Sequence, residues 1–137
     1  MKKYKLIIVE NDEDERLFMK EGFDSAGMFD ILAQVQNGDA LLEWLNDNEN
    51  DLPDIILSDL NMPGKNGYDI INEVKNSPSW SHIPVIITST SSTRTIIEKC
   101  LSQGASDYVV KPETFVEYVP YVKNLYQRIR DKHLITE

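Results

Sequence analysis

Five short apolar runs recur along the chain, and each is followed by a stretch with helical periodicity. This alternation limits the fold more than any other feature of the sequence. Lys5 to Val9 is a continuous apolar run ending in Glu10-Asn11-Asp12. Asp30 to Val35 is the second, and Ile55-Ile56-Leu57 the third. Ile83 to Ser89 and Tyr108 to Val110 complete the set. Short runs rich in β-branched residues and bounded by turn signals read as buried strands. Between them, Leu17, Phe18, Phe23 and Ala26 recur at roughly helical spacing in Glu13 to Ala26. Acids crowd the first turn of that segment, where the helix dipole favours them. Ala40, Leu41, Trp44 and Leu45 mark a second helix, and Ile70, Ile71 and Val74 a third within Tyr68 to Lys75. Ile96, Ile97, Cys100 and Leu101 mark a fourth, closed by Gly104.

The last stripe, Phe115, Val119, Val122, Leu125, Tyr126 and Ile129, is interrupted by Pro120. Inside a helix proline removes a hydrogen bond and clashes with the preceding turn, so this helix is expected to start late or to kink. Residues 1–130 form one domain, and the polar segment 131–137 is expected to fray. Strands that are apolar along their whole length, alternating with helices, predict an α/β fold. It is a flavodoxin-like three-layer sandwich, with a five-stranded parallel sheet in the order 2-1-3-4-5 and five helices.

In that order the first and third strands are neighbours, and their carboxyl ends flank the switch point where ligands gather. The third strand ends in Ser58-Asp59-Leu60-Asn61, and Met62-Pro63-Gly64-Lys65-Asn66-Gly67 then breaks regular structure. Glu10, Asn11 and Asp12 therefore face Asp59 across the switch point. The fourth strand brings Ser89 and Thr90 to the same edge, and the fifth brings Lys111. Clustered carboxylates need a cation between them, and hard oxygen ligands without histidine or cysteine point to Mg²⁺. A carboxylate beside Mg²⁺ can accept a phosphoryl group, with a hydroxyl and an ammonium gripping its oxygens.

The formal net charge of -9, from 14 basic and 23 acidic residues, disfavours nonspecific binding to nucleic acid or an anionic membrane. Cys100 is the single cysteine, which fits a reducing compartment. Lys2, Lys3 and Lys5 accompany only the short run Leu6 to Val9. That is too short for a signal-peptide core, so a cytoplasmic location is expected. Acids follow the first strand where a glycine-rich phosphate loop would stand, which argues against a nucleotide- or flavin-binding enzyme.

The sequence resembles the receiver domains of two-component response regulators, in the single-domain form of the chemotaxis or phytochrome regulators. The resemblance is carried by Ile7-Ile8-Val9-Glu10, Ser58-Asp59-Leu60-Asn61-Met62-Pro63-Gly64, Ile83-Pro84-Val85-Ile86-Ile87, Ser89 and Tyr108-Val109-Val110-Lys111-Pro112. Thirty positions separate Asp59 from Ser89, and 22 separate Ser89 from Lys111. The resemblance implies that Asp59 is the phosphoacceptor, Ser89 the switch hydroxyl, Tyr108 the switch aromatic and Lys111 the phosphoryl-binding lysine. It implies Mg²⁺ held by Glu10, residue 11, Asp59 and the main-chain carbonyl of Asn61. A cis bond at Lys111-Pro112 is also implied.

The donor would be a histidine kinase or a histidine phosphotransfer protein. No output domain is expected after the fifth helix, so output is expected by protein contact. Tyr108, Tyr118 and Tyr121 are expected on the output surface, and Tyr108 is expected to turn inward on activation. One departure stands out. Family members usually end the first strand with two adjacent acids, and here the pair reads Glu10-Asn11. Asp12 is the alternative ligand if the register shifts by one. The competing reading is an interaction module of the same fold, unswitched because Asn11 replaces the metal-binding acid.

Overall fold

A computed structural model describes residues 2–135. Its elements run β1 (Tyr4–Val9), α1 (Glu13–Ala26), β2 (Phe29–Val35), α2 (Gly38–Asp47) and β3 (Ile55–Asp59). They continue with α3 (Gly67–Lys75), β4 (Val85–Ser89), α4 (Arg94–Ser102), β5 (Asp107–Val110) and α5 (Tyr118–Asp131). A single turn of 3-10 helix, Phe115–Glu117, leads into α5. The strands pair in the order β2-β1-β3-β4-β5, all parallel, as the alternation predicts.

Strand side chains alternate between faces, so each strand feeds two cores. Leu6 and Ile8 join Met19, Phe23, Val122 and Leu125 under α1 and α5. Ile7 and Val9 join Leu41, Ile70, Val74 and Cys100 under α2, α3 and α4. With both faces covered, the central strands carry consecutive buried apolar residues, Leu6 to Val9 in β1 and Ile55 to Leu57 in β3, rather than one at every second position.

Helix starts follow local chemistry. Asp12 caps α1 through Glu15 N–H at 2.9 Å, and Asn37 caps α2 through Ala40 N–H at 2.8 Å. Asn66 and Asp69 form a reciprocal capping box at α3. Pro120 sits in the first turn of α5, where its missing N–H removes no helical hydrogen bond. The helix starts late, which resolves the misfit.

Several expectations need correction. Leu17 and Leu101 face solvent at 53% and 44% exposure, because Met19 and Cys100 take the inward positions of α1 and α4. Phe115 lies in the 3-10 turn and is exposed rather than being the first member of the α5 stripe. Tyr118 and Tyr121 are buried against α1 and β4, so they form core and not an output surface. The Lys111-Pro112 peptide is trans, the form preferred even before proline, and no cis bond occurs among the described residues. Among the described residues, the segment after α5 folds back on the molecule. His133 adopts φ 52°, Leu134 N–H returns to Ile129 O at 3.1 Å, and Leu134 and Ile135 pack on the core beside α1 and α5. The last two residues of the expected polar tail, 136 and 137, lie outside the described residues.

Candidate phosphoacceptor site

Register aligns the carboxyl ends of four strands. Val9 pairs with Ser58, Asp59 with Thr88, and Ser89 with Val110. The residues that leave these strands therefore meet at one edge. Glu10 stays in line with β1 because its N–H bonds Val35 O at 3.0 Å. Its side chain is buried, with Oε2 accepting from Asp12 N–H at 3.2 Å and Oε1 from the Lys111 ammonium at 2.5 Å.

Asp59 is 8% exposed. Its Oδ1 accepts from Leu60 N–H at 2.9 Å and lies 3.4 Å from Lys111 Nζ. The same ammonium stands 3.7 Å from Glu15 Oε1. Burial opposes the charge on Lys111, but Glu10, Asp59 and Glu15 outweigh it and raise the lysine above its usual range. Burial also lifts the Glu10 carboxyl, and Lys111 offsets this only in part.

The loop after β3 is fixed by backbone contacts. Gly64 has φ 72°, a left-handed turn that suits glycine. Gly67 N–H bonds Leu60 O at 2.9 Å, and a Cβ on Gly67 would stand 2.9 Å from both Asp59 O and Leu60 Cα. Glycine here lets α3 start directly against the backbone of the Asp59 turn.

Ser89 is buried and accepts from Ser91 N–H at 3.3 Å. Tyr108 donates its hydroxyl to Ser91 O at 2.7 Å. The tyrosine thus already lies inside, at 5% exposure, packed on the core under α3 and α4. The expected inward turn starts from a ring that has no outward position in this structure. Thr88, one residue earlier, donates to Val109 O at 2.8 Å and accepts from the Tyr121 hydroxyl at 2.7 Å, tying β4 to β5 and α5.

Glu10, Asn11, Asp12, Asp59, Thr90 and Lys111 line an open cavity of about 390 Å³, together with Asp14, Glu15 and Phe18. Asn61 is exposed at the same edge. Asp12 is already committed to capping α1. Among the described residues no three of His, Cys, Asp and Glu converge as a metal-binding group. The donor set is nonetheless all oxygen, with two carboxylates and one neutral amide around an open cavity. That fits Mg²⁺, which takes few protein ligands and keeps several waters.

Two residues around Lys111 were not legible as site residues. Glu15 reads in sequence as one of three acids serving the α1 dipole, and Tyr118 as a surface aromatic. The signal that joins them, Tyr118 hydroxyl to Glu15 Oε1, spans 103 positions and has no local trace in the chain.

The sequence model described as response regulator receiver domain matches residues 6–123. The chain belongs to this family. Among relatives, the two-component response regulator ORR12 of Oryza sativa subsp. japonica is 44% identical over 78 residues, covering 57% of this chain and 63% of that protein. The two-component response regulator-like PRR37 of Oryza sativa subsp. indica is 30% identical over 128 residues, 93% of this chain and 16% of that protein. The chain spans 63% and 58% of the length of the rice regulators ORR12 and ORR8.

Among solved structures, response regulator RPA3017 in red light signalling of R. palustris superposes with TM-score 0.80 at 26% identity, covering 90% of this chain and 92% of that one. The phosphorylated cyanobacterial phytochrome response regulator RcpA gives TM-score 0.78 at 24% identity, over 92% and 93% of the two chains, a likeness of fold. Receiver domains are generally signalling domains of two-component systems, phosphorylated on an aspartate by histidine kinases or phosphotransfer proteins and generally using Mg²⁺. No helix among the described residues is long and apolar enough to cross a membrane.

Proposed function

We propose that this receiver domain accepts a phosphoryl group on Asp59 from a phosphohistidine in the cytoplasm and passes the signal on by protein contact. The observation that carries this reading is the Lys111 ammonium, 3.4 Å from Asp59 Oδ1 and 2.5 Å from Glu10 Oε1 at the carboxyl edge of the sheet. A fixed cation beside a partly accessible carboxylate is the arrangement that phosphoryl transfer requires, because little covalent chemistry is left for the protein beyond positioning and charge.

An Asp59 oxygen forms the new bond to phosphorus as the phosphorus–nitrogen bond of the donor breaks, and the electron pair stays on the imidazole. Lys111 pairs with an oxygen of the transferred group, and Ser89 donates its hydroxyl to another. Glu10, Asn11, Asp59 and the Asn61 carbonyl would hold Mg²⁺, which when bound neutralises charge on the transferring group. Lys111 and Ser89 are the side chains whose contacts differ between the two states, and only differential contacts shift a conformational equilibrium.

The alternative is an interaction module that phosphorylation does not switch, and Asn11 is the observation that favours it. Intact mass after incubation with acetyl phosphate decides between them. The proposed function gives one added phosphoryl group with Mg²⁺ and none with a chelator. The unchanged mass under both conditions would favour the interaction module.

A further inference from the structure

Lys111 answers to three carboxylates, and Glu15 is the one with no part in the site as read above. Glu15 lies in the first turn of α1, and its Oε1 stands 3.7 Å from Lys111 Nζ, too long for a hydrogen bond but close for an ion pair. That same oxygen accepts the hydroxyl of Tyr118 from the first turn of α5. Tyr118 is 2% exposed and cannot swing away. Its stem lies against Gly22, where an added Cβ would meet Tyr118 Cβ at 2.5 Å. The ring therefore runs along α1 from Gly22 towards Glu15.

An acid serving only the helix dipole needs no partner and would point to water. Glu15 instead turns one oxygen towards both a buried phenol and the ammonium of the site. We propose that Glu15, held back by Tyr118, is a positioning residue that restrains Lys111 from moving onto a phosphoryl group on Asp59. This rests on the reading of Asp59 as acceptor and Lys111 as the phosphoryl-binding cation.

The sign of each perturbation follows from the geometry. Glu10 takes the short bond from Lys111, and Asp59 at 3.4 Å and Glu15 at 3.7 Å share the rest of its charge. An incoming phosphoryl group competes with Glu15 for the ammonium. Removing the Glu15 charge frees Lys111 and accelerates transfer. The Tyr118 hydroxyl satisfies Oε1 and keeps it away from closing on Lys111. Removing that hydroxyl lets the carboxylate complete a hydrogen bond to the ammonium and slows transfer. Two variants of one contact should thus act in opposite directions, which a purely structural role would not produce.

The test measures the initial rate of phosphoryl uptake from acetyl phosphate with Mg²⁺, by intact mass, in the full chain. In this reaction the bond from Asp59 oxygen to phosphorus forms as the phosphorus–oxygen bond to acetate breaks. Acetate leaves with the electron pair and no proton moves. Glu15→Gln, which keeps shape and removes charge, should raise the rate roughly three- to tenfold. Tyr118→Phe should lower it about twofold or more, and the double variant should match Glu15→Gln because Tyr118 acts only through Glu15.

In a Lys111→Ala background, Glu15→Gln should change the slow residual rate by less than about twofold. The same rise without Lys111 would mean that Glu15 merely repels the donor, which overturns the proposal. So would a fall in both single variants, or rates equal to that of the unaltered chain. If the Lys111→Ala chain takes up phosphoryl as fast as the unaltered one, the reading of the site fails and this inference with it. If Lys111 matters and the Glu15 pair does not, the inference alone fails.

Discussion

Residue 11 decides how strongly the site draws a metal. Asp12 spends its carboxylate on the α1 cap, accepting from Glu15 N–H at 2.9 Å, so it is poorly placed to replace the missing acid. Asn11 is exposed and edges the cavity with a neutral amide oxygen. Restoring a charge there adds a strong attraction to a divalent ion, offset by desolvation of the carboxylate. Asn11→Asp is expected to tighten Mg²⁺ by about 1–3 kcal/mol, read by titration of both forms. Equal affinities would show that residue 11 is not a ligand.

Gly67 is the second sensitive residue. A Cβ there meets backbone rather than a flexible side chain, 2.9 Å from Asp59 O. Gly67→Ala should cost about 1–3 kcal/mol in urea unfolding and displace the Asp59 turn, slowing phosphoryl uptake as well. Asp59, Ser89 and Lys111 were legible as site candidates because strand ends and turn residues leave local traces. Gly67 was legible only as part of a turn, because its close approach to residue 59 is a tertiary fact.

At the scale of elements, α5 is tied to the sheet at two levels. Near the site, Tyr121 donates to Thr88. At the opposite end of β5, buried Asp107 accepts from Arg128 Nε and Nη2 at 2.7 and 2.8 Å and from Lys132 Nζ at 2.9 Å. Burial pushes the Asp107 carboxyl up, but Arg128, Lys132 and the Tyr108 N–H together outweigh it and hold the carboxyl below its usual range. A group depressed in the folded state stabilises above its unfolded pKa, about 3.9 for aspartate, and that stability is lost as pH falls through the folded value.

Arg128 and Lys132 are partly exposed, so solvent screens the pair. Asp107→Asn is expected to cost about 1–3 kcal/mol at neutral pH and to flatten the acid limb of a stability–pH curve. An unchanged acid limb would remove Asp107 from this role. Asp107 opens the last strand as one acid among many, and nothing in the sequence distinguishes it before α5 folds back over β5. The late start of α5 was legible, by contrast, because the constraint imposed by Pro120 is local.

For the whole molecule, alternation and apolar strands were enough to read the sheet order, since parallel strands with both faces covered leave few alternatives. The packing of Leu134 and Ile135 was not legible because two apolar residues are too few to show periodicity, yet they find the end of the core beside α1 and α5. The tyrosines were misread because a tyrosine stripe suits an interface and a core edge equally well. Tyr118 and Tyr121 are core residues whose hydroxyls reach polar partners.

Leu60 N–H and the Lys111 ammonium meet one carboxylate at the edge of the sheet, that of Asp59, and its chemistry can be read directly. An aspartyl phosphate is an acyl phosphate, which borohydride reduces to homoserine. After treatment with acetyl phosphate and Mg²⁺, reduction and peptide mapping should find homoserine at position 59 and nowhere else, and Asp59→Asn should yield none. Homoserine at another aspartate, or label retained by the Asp59→Asn chain, would contradict the assignment of Asp59 as the phosphoacceptor.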